Sequence, residues 1–239
     1  MSQTVLYGGT FNPIHRGHLD ICVRARQAVD ARRVLLMPAA QPPHKSAGWL
    51  APDQDRLAMC ALAAREYDLI QVDDWEIRRG GRSYTVDTLG HLAAVFPEEE
   101  LWLLIGTDMF LTFTQWHRWE EIGKMASLLV ASREEGDRER LLDQQQRLAE
   151  QGVRSRLLQN PPMPMSSTQI REELRRDGTT GKVCPQVLDY IREKELYLHP
   201  PEELDYLRRY IRPLMTDYRY RHSLGVEKQA VKMARRFGA

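Results

Sequence analysis

Short β-rich runs alternate with helix-patterned segments along most of this chain, at intervals of roughly 30 residues. Strands and helices that alternate at this spacing are typical of βαβ units, in which a helix connects two parallel strands. The pattern therefore predicts an α/β domain, with a parallel sheet and helices on both of its faces. The predicted strands cover residues 4–7, 33–37, 70–73, 101–105 and 128–131.

Two of the intervening segments carry clear helical patterns. Leu19, Cys22, Val23 and Arg26 follow the spacing of a helix face, and Asp53 is placed to cap a second helix. In an open, Rossmann-like sheet of this kind, ligands lie at the carboxyl ends of the strands, where loops lead into helices. The loop after the first strand and the loop before the late helix are therefore the main candidates for a binding site.

Charge and composition exclude several classes of protein. With 34 Lys and Arg against 33 Asp and Glu, the net charge is +1, so we expect neither a nucleic-acid nor a membrane partner. No apolar run approaches the roughly 20 residues of a spanning helix, and residues 1–4 lack the basic start of a secretion signal. Cys22, Cys60 and Cys184 are odd in number and lack metal-ligand spacing, which predicts a cytoplasmic protein.

The loop after the first predicted strand has the composition of an anion site. Gly8 and Gly9 allow a tight turn and bring main-chain amides up to a ligand, at the amino end of the next helix. His15 and His18 share one face of that helix, and Gly17 between them leaves room for a ligand. Alternatives are a simple turn with surface histidines and a metal site at the two histidines. We favour nucleotide binding by Gly8, Gly9, Thr10, Phe11, His15 and His18.

The loop before the late helix offers donors for phosphate. Ser166 followed by Gln169 fits a capping box, which explains part of the run structurally. Ser167, Thr168 and Arg171 also place two hydroxyls and a guanidinium at the amino end of a helix, where they would suit the outer phosphates of a triphosphate.

These two loops resemble the motifs of the nucleotidyltransferase superfamily marked by HxGH. The second motif of that superfamily is usually Ile-Ser-Ser-Thr-x-Ile-Arg, and Met165 stands here at the first position. The resemblance implies that the histidines contact a nucleoside triphosphate and that Mg²⁺ accompanies ATP. It also implies that the catalytic residues are His15, His18 and Arg171.

Three further segments bear on the phosphate acceptor. Lys45 ends a Pro-Pro-His-Lys turn and could hold its phosphate, whereas Ser83, Tyr84 and Thr85 open a helix and could hold a carboxylate. Gly106 and Asp108 end the fourth strand, where Asp108 could hold the ribose of ATP, and Trp116 could stack on the flat ring of the acceptor. The alternatives are a core position for Trp116 and simple capping by Ser83.

With these segments, residues 1–199 resemble the bacterial nicotinate mononucleotide adenylyltransferases, although Asn12 replaces the commoner Asp. The resemblance implies adenylyl transfer from ATP to nicotinate mononucleotide, giving deamido-NAD and pyrophosphate without a covalent intermediate. Transfer to another phosphorylated acceptor and a non-catalytic nucleotide sensor are the alternatives. Assembly into a homo-oligomer is left open.

Residues 200–239 differ from the rest in being net basic and are predicted to form two helices, at 202–215 and 217–237. Residues 219–226 resemble the opening helix of HD-superfamily metal phosphohydrolases, which implies that His222 is a metal ligand. The His-Asp pair of that superfamily does not follow, so the metal site is incomplete. We expect this segment to be the front of a second domain; the alternative is a helical appendage in which His222 is an ordinary surface residue.

Overall fold

The computed structural model describes residues 2–41, 50–132, 135–159, 165–197 and 215–237. The chain divides into two compact units, Met1–Leu198 and His199–Ala239. Within the described ranges, no helix combines the length and the apolar character needed to cross a bilayer.

The first unit is built on a six-stranded sheet in which every strand pair is parallel, with the order β3-β2-β1-β4-β5-β6. This order is that of a Rossmann-type fold, which confirms the predicted fold class. The sequence pattern missed only β6, because Ser-Arg-Leu carries neither an apolar run nor a β-branched residue. The strands are β1 Ser2–Gly9, β2 Arg33–Pro38, β3 Ile70–Val72, β4 Glu99–Gly106, β5 Ala126–Ala131 and β6 Ser155–Leu157.

Helices fill the connections between the strands. Asp53 is the first residue of its helix, whose N-cap is Pro52, so the predicted cap is wrong; the Asp53 carboxylate instead accepts a hydrogen bond from Arg56. The helices of the first unit are α1 Arg16–Val29, α2 Asp53–Ala64, α3 Trp75–Arg79, α4 Thr85–Val95, α5 Thr107–Leu111, α6 Trp119–Met125, α7 Arg138–Glu150, α8 Ser167–Asp177 and α9 Pro185–Glu193.

Two apolar layers pack on opposite faces of the sheet, because successive side chains of a strand point to opposite sides. In β1, for example, Val5 belongs to the first layer and Leu6 to the second. The first layer includes Leu19 and Cys22 of α1, Met59 and Cys60 of α2, Ile170 and Leu174 of α8, and Val187 and Ile191 of α9. The second includes Leu89 and Leu92 of α4, Phe110 and Phe113 after β4, and Leu141 and Leu148 of α7.

The strand order reverses between β1 and β4, which are hydrogen-bonded neighbours in the sheet. The chain leaves β1 toward one edge strand and leaves β4 toward the other. A crevice forms at such a switch point, outside the carboxyl ends of the two strands. The loops that begin at Gly9 and Gly106 flank this crevice, which is where a Rossmann-type sheet binds its ligand.

The second unit contains one described helix, α10 Asp217–Phe237, which agrees with the second predicted tail helix. His222 is exposed on α10. Of the other predicted tail helix, at 202–215, residues 202–214 lie outside the described residues.

Candidate active site

The loop after β1 turns at Phe11. Gly8 and Gly9 remain in the strand, in register with Met37 and Pro38 of β2, and neither has a positive φ. Phe11 has a φ of 46°, in the left-handed region, and the Asn12–Pro13 peptide bond is cis. The expectation that the two glycines make the turn is therefore wrong, because the ladder of strand hydrogen bonds continues through them.

Gly9 gives room to a buried ring. A Cβ on Gly9 would lie 2.9 Å from Cζ of Phe11, whose side chain is 2% exposed. The Phe11 ring packs edge to face against Tyr7 and His18, with centroid distances of 5.4 and 5.2 Å. The Phe11 ring therefore packs against His18. Because this ring is buried, Phe11 can offer a nucleotide only its main chain.

We expect Gly9→Ala to lower the free energy of unfolding by about 1–3 kcal/mol, because the Phe11 ring is held in a packed core and must shift. Gly8→Ala is the matched control, since no atom lies within 4 Å of the Cβ it would add. Urea denaturation of both variants measures the difference. Equal stabilities would show that the Phe11 ring can move without cost.

The two histidines of the HxGH motif occupy different environments. His15 is the N-cap of α1 and is 6% exposed, whereas His18 is partly exposed. Their rings stack, with a centroid distance of 3.6 Å and an interplanar angle of 28°. The main-chain N–H of His15 donates to Nδ1 of His18 at 3.2 Å. A neutral His18 therefore carries its proton on Nε2, which makes that atom a hydrogen-bond donor.

Gly17 also leaves room for a side chain of the protein. A Cβ at Gly17 would lie 3.1 Å from Nδ1 of His15 and 3.4 Å from the terminal methyl carbon of Met165. The space predicted for a ligand is thus occupied by the His15 ring and by the residue that opens the second motif. The lack of a Cβ at Gly17 thus lets the ring of His15 lie across the start of α1.

The N-terminus of α8 contacts the loop after β1. Ser167 donates its hydroxyl proton to the main-chain oxygen of Pro13 at 3.0 Å. Nη1 of Arg171 donates to the main-chain oxygen of Asn12 at 2.7 Å, and its Nη2 donates to the Thr168 hydroxyl at 3.2 Å. Half-burial lowers the pKa of Arg171, although a guanidinium stays charged in proteins. The structure therefore brings the two predicted phosphate motifs together.

The Ser166 half of the capping box predicted at the start of α8 is present. Ser166 is the N-cap, and its hydroxyl accepts a hydrogen bond from the main-chain N–H of Gln169 at 3.2 Å. Ile170 and Leu174 are buried in the first apolar layer. Capping by Ser166 and the contacts made by Ser167 and Arg171 coexist, because these side chains leave the helix start in different directions.

A tyrosine that the sequence pattern did not indicate fixes the same loop. The Tyr197 hydroxyl donates to Oδ1 of Asn12 at 2.7 Å, and the N–H of Ala51 donates to the same oxygen at 3.1 Å. Tyr197 is fully buried, and burial raises the pKa of its phenol, so it remains a donor. A residue so far along the chain from Asn12 gives no local signal of this contact.

Arg56 is a second residue that the motif analysis missed. Its fully buried side chain donates to the main-chain oxygens of Thr10 at 2.9 Å and Ala39 at 2.7 Å. A signal was present in the sequence, because Arg56 lies on the same helix face as the buried Met59 and Cys60. A lone arginine on an apolar face indicates a polar environment at that point of the core.

The predicted acceptor segment lies beside the end of β2. The Ser83 N–H donates to the main-chain oxygen of Gln41 at 3.1 Å, and the Ser83 hydroxyl accepts from the N–H of Ala40 at 2.9 Å. Because the Ser83 side chain is buried and bonded, a ligand carboxylate would meet the main chain and Thr85. Lys45 lies outside the described residues.

Aromatic groups lie around this segment and the loop after β4. Tyr84 is the N-cap of α4, and its ring lies 4.6 Å from that of His117, which the motif analysis did not include. Trp116 is half-buried and packs against Phe113 with a centroid distance of 5.6 Å. Part of the Trp116 ring therefore belongs to the core, and part is open to a ligand.

The other predicted nucleotide residues lie at the carboxyl end of β4. Gly106 is the last residue of the strand and the N-cap of α5, and Asp108 is exposed in the first turn of that helix. Because β4 is the neighbour of β1, both residues lie on the far side of the crevice from His18.

Within the described ranges, no group of three or more His, Cys, Asp or Glu residues could hold a metal ion. His15 and His18 therefore have no third His, Cys, Asp or Glu beside them in the part of the chain that the structure describes. The same holds for His222 in the part of its unit that the structure describes.

Comparison with known proteins agrees with this geometry. The model of the cytidylyltransferase-like family matches residues 6–173. A probable nicotinate-nucleotide adenylyltransferase from Synechococcus sp. (strain JA-2-3B'a(2-13)) is 36% identical over 200 residues, covering 83% of this chain and 98% of the relative. Another, from Neisseria meningitidis serogroup C, is 36% identical over 201 residues, covering 82% and 99%.

A solved structure shares the fold. Nicotinic acid mononucleotide adenylyltransferase from Plasmodium falciparum, complexed with NaAD, superposes with a TM-score of 0.68 at 18% identity. The superposition covers 82% of this chain and 98% of that one. At this identity, the likeness establishes the architecture, and the chemistry has to be argued from the residues of this chain.

Proposed function

The chain belongs to the cytidylyltransferase-like family, and it matches proteins named probable nicotinate-nucleotide adenylyltransferases over nearly their whole length. We therefore propose that it adenylylates nicotinate mononucleotide. The adenylyl group comes from ATP, and the products are deamido-NAD and pyrophosphate, so the chain is an enzyme of NAD biosynthesis. The observation that carries the assignment is the contact of Arg171 and Ser167 with the loop after β1. This contact brings imidazole, guanidinium and hydroxyl donors together at the switch point of the sheet.

The reaction is an in-line displacement at phosphorus. An oxygen of the acceptor phosphate attacks the α-phosphorus of ATP, the bond from that phosphorus to the bridging oxygen breaks, and the oxygen leaves with pyrophosphate. No side chain needs to act as a nucleophile, so catalysis consists of positioning and of stabilising charge. The residues described above suit this task, because they are donors and cations.

His18 and Arg171 have distinct parts in this mechanism. Nε2–H of His18 donates to an oxygen of the α-phosphate, where negative charge is rearranged in the transition state. Arg171, together with the hydroxyls of Ser167 and Thr168, holds the departing pyrophosphate. Main-chain amides of Gly8, Gly9 and Thr10 and the amino end of α1 add further positive potential.

The acceptor occupies the other end of the crevice. Lys45 orients its phosphate, the start of α4 at Tyr84 and Thr85 binds its carboxylate, and Trp116 stacks on its ring. Gly106 and Asp108 hold the ribose of ATP. The role of Gly106 and Asp108 follows from their position at and just after the carboxyl end of β4. The roles of the acceptor residues are those that the family resemblance of their segments implies.

Mg²⁺ fits this site as a companion of ATP. The ion usually keeps several waters and binds nucleotides through phosphate oxygens, with few ligands from the protein. The donor set agrees, because the described residues next to the phosphates are imidazole, hydroxyl, amide and guanidinium groups, with Asn12 in place of a carboxylate. His18 and Arg171 would bind phosphate oxygens and would hold the ion only indirectly, through the triphosphate. The bound ion would neutralise part of the triphosphate charge.

Pyrophosphate release from ATP tests the assignment. We expect release to require nicotinate mononucleotide, and a panel of other phosphorylated acceptors should give little. Release with a different acceptor would assign the chain to another adenylyl transfer. Tight ATP binding without release in the presence of any acceptor would indicate a nucleotide sensor.

The carboxylate site predicts a preference for the acid over the amide nucleotide. We expect kcat/KM for nicotinate mononucleotide to exceed that for the corresponding amide nucleotide by about a hundredfold or more. Hydrogen-bond donors that are placed to bind a carboxylate are poorly matched to a neutral amide. Thr85→Val should reduce this ratio, whereas Thr179→Val, at an exposed threonine, should leave it unchanged. Equal specificity constants in the wild-type enzyme would contradict a carboxylate site.

We further infer a cytoplasmic location and a separate role for the basic tail. Cys22, Cys60 and Cys184 are free and buried, as is typical of proteins from a reducing compartment. The helical structure of α10 agrees with the resemblance of residues 219–226 to an HD-type opening helix, and the exposure of His222 agrees equally with the alternative of an ordinary surface residue.

A further inference from the structure

Arg56 holds three separate segments of the chain together. Its Nε donates to the main-chain oxygen of Ala51 at 3.1 Å, Nη1 donates to that of Thr10 at 2.9 Å, and Nη2 donates to that of Ala39 at 2.7 Å. Nη2 also bonds Asp53, whose side chain is partly exposed, at 2.8 Å. The acceptors lie after β1, after β2 and at the start of α2, all at the carboxyl edge of the sheet.

Stability alone does not account for this residue. Arg56 is 0% exposed, and moving a guanidinium out of water costs several kcal/mol, roughly, before any bond is made. Apolar residues of similar volume often replace buried charges with no loss of stability. The rest of this helix face is apolar, with Met59, Cys60 and Ala63. Arg56 is therefore better explained by what it positions.

The hydrogen bonds continue beyond Arg56 toward the acceptor segment. The main-chain oxygen of Ala40 lies 3.5 Å from Nη2 of Arg56, and its N–H donates to the Ser83 hydroxyl at 2.9 Å. The Ser83 hydroxyl is one of the groups that lower the pKa of the buried Glu76 carboxyl, and the Glu76 carboxylate accepts a hydrogen bond from the Thr88 hydroxyl at 2.6 Å. Burial raises the pKa of Glu76, and the hydrogen bonds from Ser83 and Thr88 oppose that shift.

The same groups thus join both substrate loops. One end is Thr10, in the loop proposed to bind ATP, and the other is Glu76, beneath the segment that opens α4. The peptide group between Ala39 and Ala40 is the link, since its oxygen accepts from Arg56 and its N–H donates to Ser83. The bond from Arg56 to Thr10 is partly buried, and those from Arg56 to Ala39 and from Ala40 to Ser83 are buried. Buried hydrogen bonds of this kind favour one arrangement of the groups that they join.

We propose that Arg56 is a positioning residue that couples the ATP loop to the acceptor segment through the peptide group between Ala39 and Ala40 and through Ser83. We call these groups, together with the Glu76 carboxylate, the Arg56–Glu76 network. The proposal rests on the function proposed above, because it takes the two loops to be the ATP site and the acceptor site. Arg56 does not touch the substrates; it acts through the main chain of Thr10 and Ala39.

The network predicts that a change at either end alters binding at the other. Arg56→Lys keeps the charge, but its ammonium cannot reach all three segments. Glu76→Gln keeps the shape of the side chain, and Glu76 makes no described bond to the ATP loop. We expect each variant to weaken binding of α,β-methylene-ATP and of nicotinate mononucleotide by about tenfold. The double variant should cost little more than either single variant, since both break the same network.

Arg33→Lys is the matched control. Arg33 begins the same strand, β2, and pairs with Glu99 at 2.5 Å, but it lies at the opposite end of the strand from the site. Isothermal titration of the full chain, well below its melting temperature, gives the dissociation constant and the number of sites. A purely structural role for Arg56 would lower the number of competent sites and the Tm while leaving both dissociation constants unchanged.

Hydrogen exchange gives a readout that needs no acceptor. We expect Arg56→Lys to speed exchange at residues 8–12, 39–41 and 82–84 together, and Arg33→Lys to leave them unchanged. If Arg56→Lys does not fold, Glu76→Gln carries the test alone. Unchanged affinity for α,β-methylene-ATP in Glu76→Gln would overturn the proposal. Failure of the wild-type chain to bind nicotinate mononucleotide would instead refute the proposed function, and the ATP measurements would still stand.

Discussion

Replacing His18 with asparagine is expected to lower kcat by about two to three decades, the usual effect of removing one donor that stabilises charge in the transition state. Asparagine is chosen because its Oδ1 can still accept the hydrogen bond that the His15 N–H makes to Nδ1 of His18. The variant therefore removes Nε2 while keeping the start of α1 intact. Pyrophosphate release at saturating substrates measures the loss.

Two companion variants separate chemistry from folding. His18→Ala should lose the same turnover and, in addition, about 1 kcal/mol of stability, because the His15 N–H loses its acceptor. His18→Gln places an amide N–H near the position of Nε2 and should recover part of kcat. Turnover near the wild-type rate in His18→Asn would remove this side chain from the mechanism.

Arg171→Lys is expected to reduce kcat/KM by about 100- to 1,000-fold, mainly through kcat. A lysine keeps the positive charge but lacks the two terminal nitrogens of a guanidinium. Arg171 uses one of these nitrogens to bond Asn12 and the other to bond Thr168. A lysine that bonded Asn12 could not also hold the leaving pyrophosphate in the same way. Steady-state kinetics with varied ATP measure how the loss divides between kcat and KM.

Arg176→Lys is the control for Arg171, because Arg176 lies on the same helix, is exposed and pairs with Asp177. We expect this variant to retain wild-type kinetics. A rise in KM for ATP with kcat unchanged in Arg171→Lys would assign Arg171 to substrate binding alone and would contradict its part in stabilising the leaving group.

Much of the architecture could be predicted because it is encoded locally. Apolar runs with turn signals placed five strands, and the helical spacing of Leu19 and Cys22 placed α1. The two phosphate motifs were visible for the same reason, since each is a short run at a strand-to-helix junction. Strand β6 was not predicted, because its three residues pair with β5 but carry no β-strand pattern in the sequence.

The details of the loop after β1 were not predictable. Glycines suggested a tight turn, yet the left-handed residue is Phe11, and the glycines stay in the strand. The reason is tertiary: the Phe11 ring has to be buried between β1 and α1, and only a residue without a Cβ at position 9 allows it. Gly17 was misjudged in the same way, because the position of the His15 ring depends on packing.

Local patterns are enough to specify the alternation of strands and helices and the two motifs that carry phosphate donors, because both depend on neighbours within a few residues. Which distant groups meet depends instead on how the chain folds: Arg171 with Asn12, Tyr197 with Asn12, and Arg56 with Thr10 and Ala39. These bonds join side chains to groups far away in the chain, most of them main-chain oxygens. Because every residue carries such an oxygen, its identity gives no sign of the partner, and folding alone selects the pair.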